Sequence, residues 1–206
     1  MRIDFLLKGL IIGFSIAAPV GPIGLLCIRR TLTEGRTQGL LSGLGAASAD
    51  AAYGFVAAFG LTFISNFLVA QQIWLRLAGG VFLCLLGFRT FRARVAQRDR
   101  DVKASGPLGA YSSTLFLTLT NPMTIVSFSA IFAGLGIGSG GDDYLSAGLM
   151  VAGVFLGSGL WWLILSSGVN RFRAGLGPDS LRWVNRASGM IIGAFGLIAL
   201  LSLLRG

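Results

Sequence analysis

Six apolar stretches run through the 206 residues, at about 5–28, 38–63, 74–91, 110–137, 144–169 and 187–204. At about 1.5 Å per helical residue, each reaches across a hydrocarbon core roughly 30 Å thick. No other feature limits the fold so strongly, because only the third connection leaves room for a sizeable polar segment. Charge agrees with this. Lys, Arg, Asp and Glu make up 12% of the chain, about half the share of a soluble domain, and mean hydropathy is +0.78. Too little charge is present to coat a water-facing surface, so the lipid bilayer is the expected solvent. The expected fold class is an all-α membrane protein of about six transmembrane helices, forming one transmembrane domain over residues 1–206.

The first stretch begins like a signal peptide, with Arg2, an apolar run and the small pair Ala17-Ala18. Lys8 interrupts that run, Pro19 follows the small pair, and apolar character continues through Gly21-Pro22 to Ile28. It therefore reads as a retained first helix.

The net charge of +9 is distributed by connection. The first carries Arg29, Arg30 and Arg36; the third carries Arg92, Arg94, Arg98, Arg100 and Lys103; the fifth carries Arg171, Arg173, Arg182 and Arg186. The second, Ser65 to Ile73, has no base, and the fourth holds Asp142 and Asp143. The positive-inside rule puts connections one, three and five in the cytoplasm and both termini outside. Arg2, Lys8, Arg76 and Arg205 go against this pattern. The basic segment Arg92–Lys103 lacks interleaved aromatic residues, so it reads as a topology signal near anionic headgroups rather than a nucleic-acid site.

The two halves of the chain, about 1–92 and 110–206, repeat around the loop 92–109. Gly21-Pro22 matches Asn121-Pro122. Trp74, Ala78, Gly80 and Gly87 recur as Trp183, Ala187, Gly189 and Gly196, each 109 residues further on, as Gly39 recurs at Gly148. A three-helix unit reverses its orientation on repetition, so the expected architecture is two inverted three-helix repeats, as in many secondary transporters.

Two constellations stand out. Pro22 and Pro122 each remove a helical donor and clash with the preceding turn. Paired Pro/Gly interruptions at matching places point to a transporter's substrate site. Gly21 contributes to the first interruption, Asn121 and Thr120 to the second. Asp50 is the other: of eight acidic residues it alone lies well inside an apolar helix, among small residues with Ser48 and Tyr53 nearby. A carboxylate at that depth is expected to face the bundle interior, where it can exchange a proton, pair with a substrate ammonium, or be held by Ser48 or Tyr53. The Gly-x3-Gly stripes, such as Gly35, Gly39 and Gly43, are close-packing surfaces, one of which can serve as a homodimer contact.

Other chemistry lacks residues. Histidine is absent, and Cys27 and Cys84 stand alone in apolar runs, so no metal site, cofactor or enzymatic activity is expected. Cation or metal efflux is the alternative transport reading, weakened by a single intramembrane carboxylate where hard cations want several oxygens.

Ala18-Pro19-x-Gly21-Pro22, Arg29-Arg30, Thr33-x-Gly35, the glycines Gly39, Gly43 and Gly45 with Asp50, and Leu119-Thr120-Asn121-Pro122 together resemble the signature of the lysine exporter (LysE/RhtB) superfamily over almost the whole chain. That resemblance implies a proton-driven, homo-oligomeric exporter of amino acids in a bacterial inner membrane, with the family's helix-two aspartate falling on Asp50. The family's usual preceding glycine is Ala49 here. Met123 stands where a basic or bulky residue often follows the Asn-Pro pair, which leaves the cargo open.

Overall fold

The computed structural model describes residues 2–59, 67, 70–93, 106–121, 124, 127–128 and 144–204. Every regular element among them is helical. In chain order they are α1 (Arg2–Ala17), α2 (Pro22–Glu34), α3 (Arg36–Ala58), α4 (Gln72–Arg92), α5 (Pro107–Leu119), α6 (Tyr144–Arg173) and α7 (Pro178–Leu201), the last followed by a 3₁₀ turn, Ser202–Leu204. Four of these, α3, α4, α6 and α7, are long and apolar enough to cross a membrane. A fifth span results if α1 and α2 count as one broken crossing. The chain is a multi-pass membrane protein.

The expected single first helix is two helices bent by 80° at residues 18–21. Pro22 does not kink a helix interior. It occupies the first turn of α2, where its missing N–H is no loss and its fixed φ suits helix initiation. The break lies before it, in Ala18–Gly21. A second correction concerns the first connection. Arg29 and Arg30 are not loop residues, because α2 continues to Glu34. The turn into α3 is Gly35 alone, at φ +106°, with its N–H donating to Arg30 O and Thr31 O. An L side chain would be strained there. In the fifth connection, Arg171 and Arg173 form the last turn of α6, and Arg182 and Arg186 already belong to α7.

Helix α5 is the regular element described in the fourth apolar stretch. Pro122, Asp142 and Asp143, the loop residues Arg94, Arg98, Arg100 and Lys103, and Ser65 lie outside the described residues.

Packing follows the small residues. A Cβ added at Gly9, Gly13, Gly153 or Gly157 would strike backbone of the facing helix, so α1 and α6 run side by side in direct contact. Added at Gly87, Gly189 or Gly196 it would do the same between α4 and α7. Such close approach replaces the hydrophobic driving force that lipid withholds. Helix α3 sits between α6 and α5, with Gly43 against Trp162 and Gly45 against Tyr111 O. The basic ends of the elements meet on one face. Arg29 Nε donates to Asn185 Oδ1 (2.9 Å), Asn185 Nδ2 to Ala93 O (3.4 Å) and Arg173 Nε to Leu32 O (3.2 Å).

Candidate functional site

A cavity of about 90 Å³ opens where α1 gives way to α2, enough for several water molecules. Its wall includes Pro19, Gly21 and Pro22 from the break, Asp50 from α3, Thr118 and Asn121 from the end of α5, and Trp162 from α6, with Thr124 beyond. Four residues singled out from the sequence thus share one hollow: Asp50, Asn121, Gly21 and Pro22.

Asp50 is 3% exposed. Its Oδ2 accepts a 2.7 Å hydrogen bond from Ser158 Oγ, and Ser158 Oγ accepts one of 3.1 Å from Trp162 Nε1. Ser158 and Trp162 lie one turn apart on α6, so both face α3. The relay holds one carboxylate oxygen from the α6 side, and Asp50 contributes to the cavity wall.

On the same cavity, α2 starts at Pro22 after Gly21, with no side-chain cap. The first backbone N–H groups of a helix have no partner within it, and the helix dipole places partial positive charge there. Ile23 and Gly24, in that first turn, line the cavity. A carboxylate and an uncapped helix start therefore border the same space.

Three expected site residues do not line it. Ser48, two residues before Asp50, is turned away, donating to Leu44 O (2.9 Å) and accepting from Tyr111 Oη (2.8 Å). Tyr53 Oη donates to Leu119 O at 2.6 Å, tying α3 to the end of α5. Thr120 Oγ1 donates to Phe116 O (2.9 Å) and sits beside Gly79 of α4. Neither Ser48 nor Tyr53 holds Asp50. Pro122 lies outside the described residues.

Sequence reasoning missed Ser158, Trp162, Thr124 and Arg30. Trp162 carried a usable signal, since it stands 109 residues after Tyr53, the same offset that relates the other repeated positions. Arg30 was hidden by its neighbours: in a run of bases it reads as loop, yet it is 3% exposed. Among the described residues no three His, Cys, Asp or Glu side chains come together.

Membrane-length helices, one of them interrupted at a polar hollow with a buried acid, make the build of a membrane transporter. The chain matches the LysE type translocator family over residues 14–203. It belongs to that family, whose members are transporters rather than enzymes. It is 26% identical over 201 residues to YcgF of Bacillus subtilis (strain 168), named as a candidate amino acid efflux protein, covering 94% of this chain and 93% of that one. It is 29% identical over 181 residues to the uncharacterized membrane protein YahN of Escherichia coli (strain K12), covering 82% of this chain and 77% of that one. No solved structure matches the chain.

Proposed function

We propose that this transporter exports small amino acids from the cytoplasm of a bacterium, coupled to protons, and that the cavity at the α1–α2 break is its substrate site. The observation that carries this is the pairing of Asp50 with the uncapped start of α2 across one hollow. A zwitterion fits it: the ammonium pairs with the Asp50 carboxylate, and the carboxylate takes the free N–H groups of α2. Asn121, Thr118 and Thr124 supply further polar contacts, and Trp162 bounds the side-chain space. The efflux name carried by YcgF supports the direction and the cargo class.

The same reading takes the two halves as inverted repeats that rock about the cavity. Supporting it, the contact of Gly80 with Gly196 and that of Gly87 with Gly189 are equivalent under the 109-residue offset. Cys84 and Gly193, themselves 109 residues apart, meet between them. The grouping of the basic helix ends on one face supports a cytoplasmic assignment for that face by the positive-inside rule. In sequence, Asn121-Pro122 is the second half's counterpart of Gly21-Pro22. Tyr53, Ser48 and Thr120 act as supports, fixing α3 and the end of α5 around the hollow.

The test is transport by reconstituted vesicles. Asp50→Asn keeps shape and a hydrogen-bond acceptor for Ser158 but cannot carry the negative charge. The variant should fold, and proton-driven amino-acid movement should fall at least about a hundredfold, as expected when a buried ion pair worth roughly 3 kcal/mol is lost. Transport at the unaltered rate would remove Asp50 from the mechanism.

A further inference from the structure

Arg30 lies deep between three helices. Its Nη1 donates to Ser42 Oγ (2.8 Å), Ala110 O (2.9 Å) and Thr114 Oγ1 (3.2 Å), and its Nη2 to Ser113 Oγ (2.8 Å). Thus one side chain of α2 fastens both α3 and α5. None of these partners is charged. The carboxylate one turn further, Glu34, is engaged instead by Arg29 at 3.7 Å. Arg30 Nε, Glu34 Oε2 and Gln38 Oε1 are buried without a hydrogen-bond partner among the described residues. Buried charges are normally paired, and orphaned polar atoms are costly. The guanidinium is thus held by hydrogen bonds to neutral groups alone, with Nε left over.

Its position gives that arrangement a meaning. Going from the cavity toward the basic face, α3 presents Asp50, Ala46, Ser42 and Gln38 at one-turn intervals. Helix α5 presents Thr118, Thr114 and Ala110, and α2 presents Ile23, Cys27, Arg30 and Glu34. Thr118, Ala46 and Ile23 line the cavity, whereas Cys27, Arg30, Ser42, Thr114 and Ala110 are all buried. The seam is shut where Arg30 crosses it. Ser42 is eight residues from Asp50, about 12 Å along the helix, too far for one small amino acid to touch both charges at once.

We propose that Arg30 is the gate residue on the basic face. It holds α2 against α3 and α5 in the closed arrangement, and hands its hydrogen bonds to the carboxylate of a substrate entering from that side. The hand-over rests on the amino-acid reading of the cavity. Hydroxyls and a carbonyl suit a latch that must release, because a carboxylate displaces them from a guanidinium with a bidentate, charge-assisted pair. A permanent Arg–carboxylate bridge would not let go.

Cys27 is the natural reporter. It is buried one turn from Arg30, in a cluster with Ala46 and Trp162, and Cys84→Ser leaves it the sole thiol. In full-length protein in membrane vesicles, N-ethylmaleimide supplied from the basic face should label Cys27 slowly. Ser42→Ala/Thr114→Ala removes two latch bonds but keeps the charge, and should speed labelling about tenfold. A mixture of neutral amino acids should also speed labelling of the protein with the latch intact, whereas the corresponding amides, which lack the carboxylate, should not. Arg30→Gln should lose that response and Arg30→Lys should partly restore it. Unaltered labelling in the double variant overturns the gate, even if vesicles still move amino acids. Amides as effective as acids overturn the hand-over. A silent response to both, with the double variant unlocked, also overturns the hand-over and counts against the amino-acid reading of the cavity itself.

Discussion

The α4–α7 seam and the region around Asp50 are built on opposite plans. Along α4–α7 the glycines bring two backbones into contact, and a carbon added at Gly87, Gly189 or Gly196 would strike the facing backbone. Around Asp50 a cavity opens beside α3, and side-chain hydrogen bonds from Ser158 to Asp50, from Tyr53 to Leu119 O and, further along, from Arg30 to Ser42 link the helices. Contact between backbones has one good arrangement. Bonds between rotatable side chains have several, and they can be exchanged for bonds to water or cargo. The contrast assigns stiffness to the first region and movement to the second, so substitutions in the two should show up in different measurements.

The largest effect on stability is expected at the glycine seam. In Gly87→Val the new Cβ meets Gly193 N at 2.6 Å and Gly189 O at 2.8 Å, both backbone atoms that cannot turn aside. Thermal unfolding in detergent should show a loss of about 3 kcal/mol or more, the upper range for overpacking. Transport per folded molecule should be near normal. A variant that folds well but stops transporting would break the comparison by moving the hinge into the seam.

Next in size is Ser158→Ala. It removes the hydroxyl that Asp50 Oδ2 accepts from and leaves Trp162 Nε1 without its acceptor. A bond to a charged group and an orphaned buried donor together predict a stability loss of about 2 kcal/mol. Transport should fall more than stability, because the carboxylate is no longer aimed. A transport loss no greater than the fraction unfolded would show the relay to be mere packing.

That relay also marks the limit of what the sequence shows. Apolar length, the Gly-Pro interruption and a lone acid are local features, so Asp50, Gly21 and Pro22 can be picked out without knowing any partner. Their partners are distant. Ser158 lies 108 residues from Asp50, and Ala110 lies 80 from Arg30. Proximity in sequence misleads even within one helix. Ser48 is two residues from Asp50 and so lies on another face, and Tyr53, three residues away, is drawn instead to a free carbonyl at the end of α5. Hydropathy hides Arg30 for a similar reason. A window average scores a charged residue as loop, and nothing in the window reveals that Ser42, Ser113 and Thr114 receive it.

Tyr53→Phe sharpens the comparison at smaller scale. It deletes one short bond, from Oη to Leu119 O, in an otherwise apolar cluster with Ile12, Phe128 and Val154. The ring keeps its packing, so the expected loss is about 1 kcal/mol. If the region around the cavity is the moving one, this variant should alter the transport rate in vesicles at unaltered apparent affinity for amino acids, since Tyr53 stands outside the cavity wall. A pure affinity change would place it in substrate contact.

The smallest effect should come from Arg182→Ala. Its bond to Asp179 at 2.8 Å has good geometry, but the two side chains are 62% and 93% exposed. In such settings water competes for both ions and side-chain ordering cancels most of the Coulombic gain, so the loss should stay within about 0.5 kcal/mol. The pair spans one turn of α7, and neither residue lines the cavity. Arg182 also belongs to the basic set from which the proposed orientation is read. Because the other bases of that face remain, vesicle protection assays should show the same orientation as the parent. A reversed or mixed orientation would mean that this one charge decides topology.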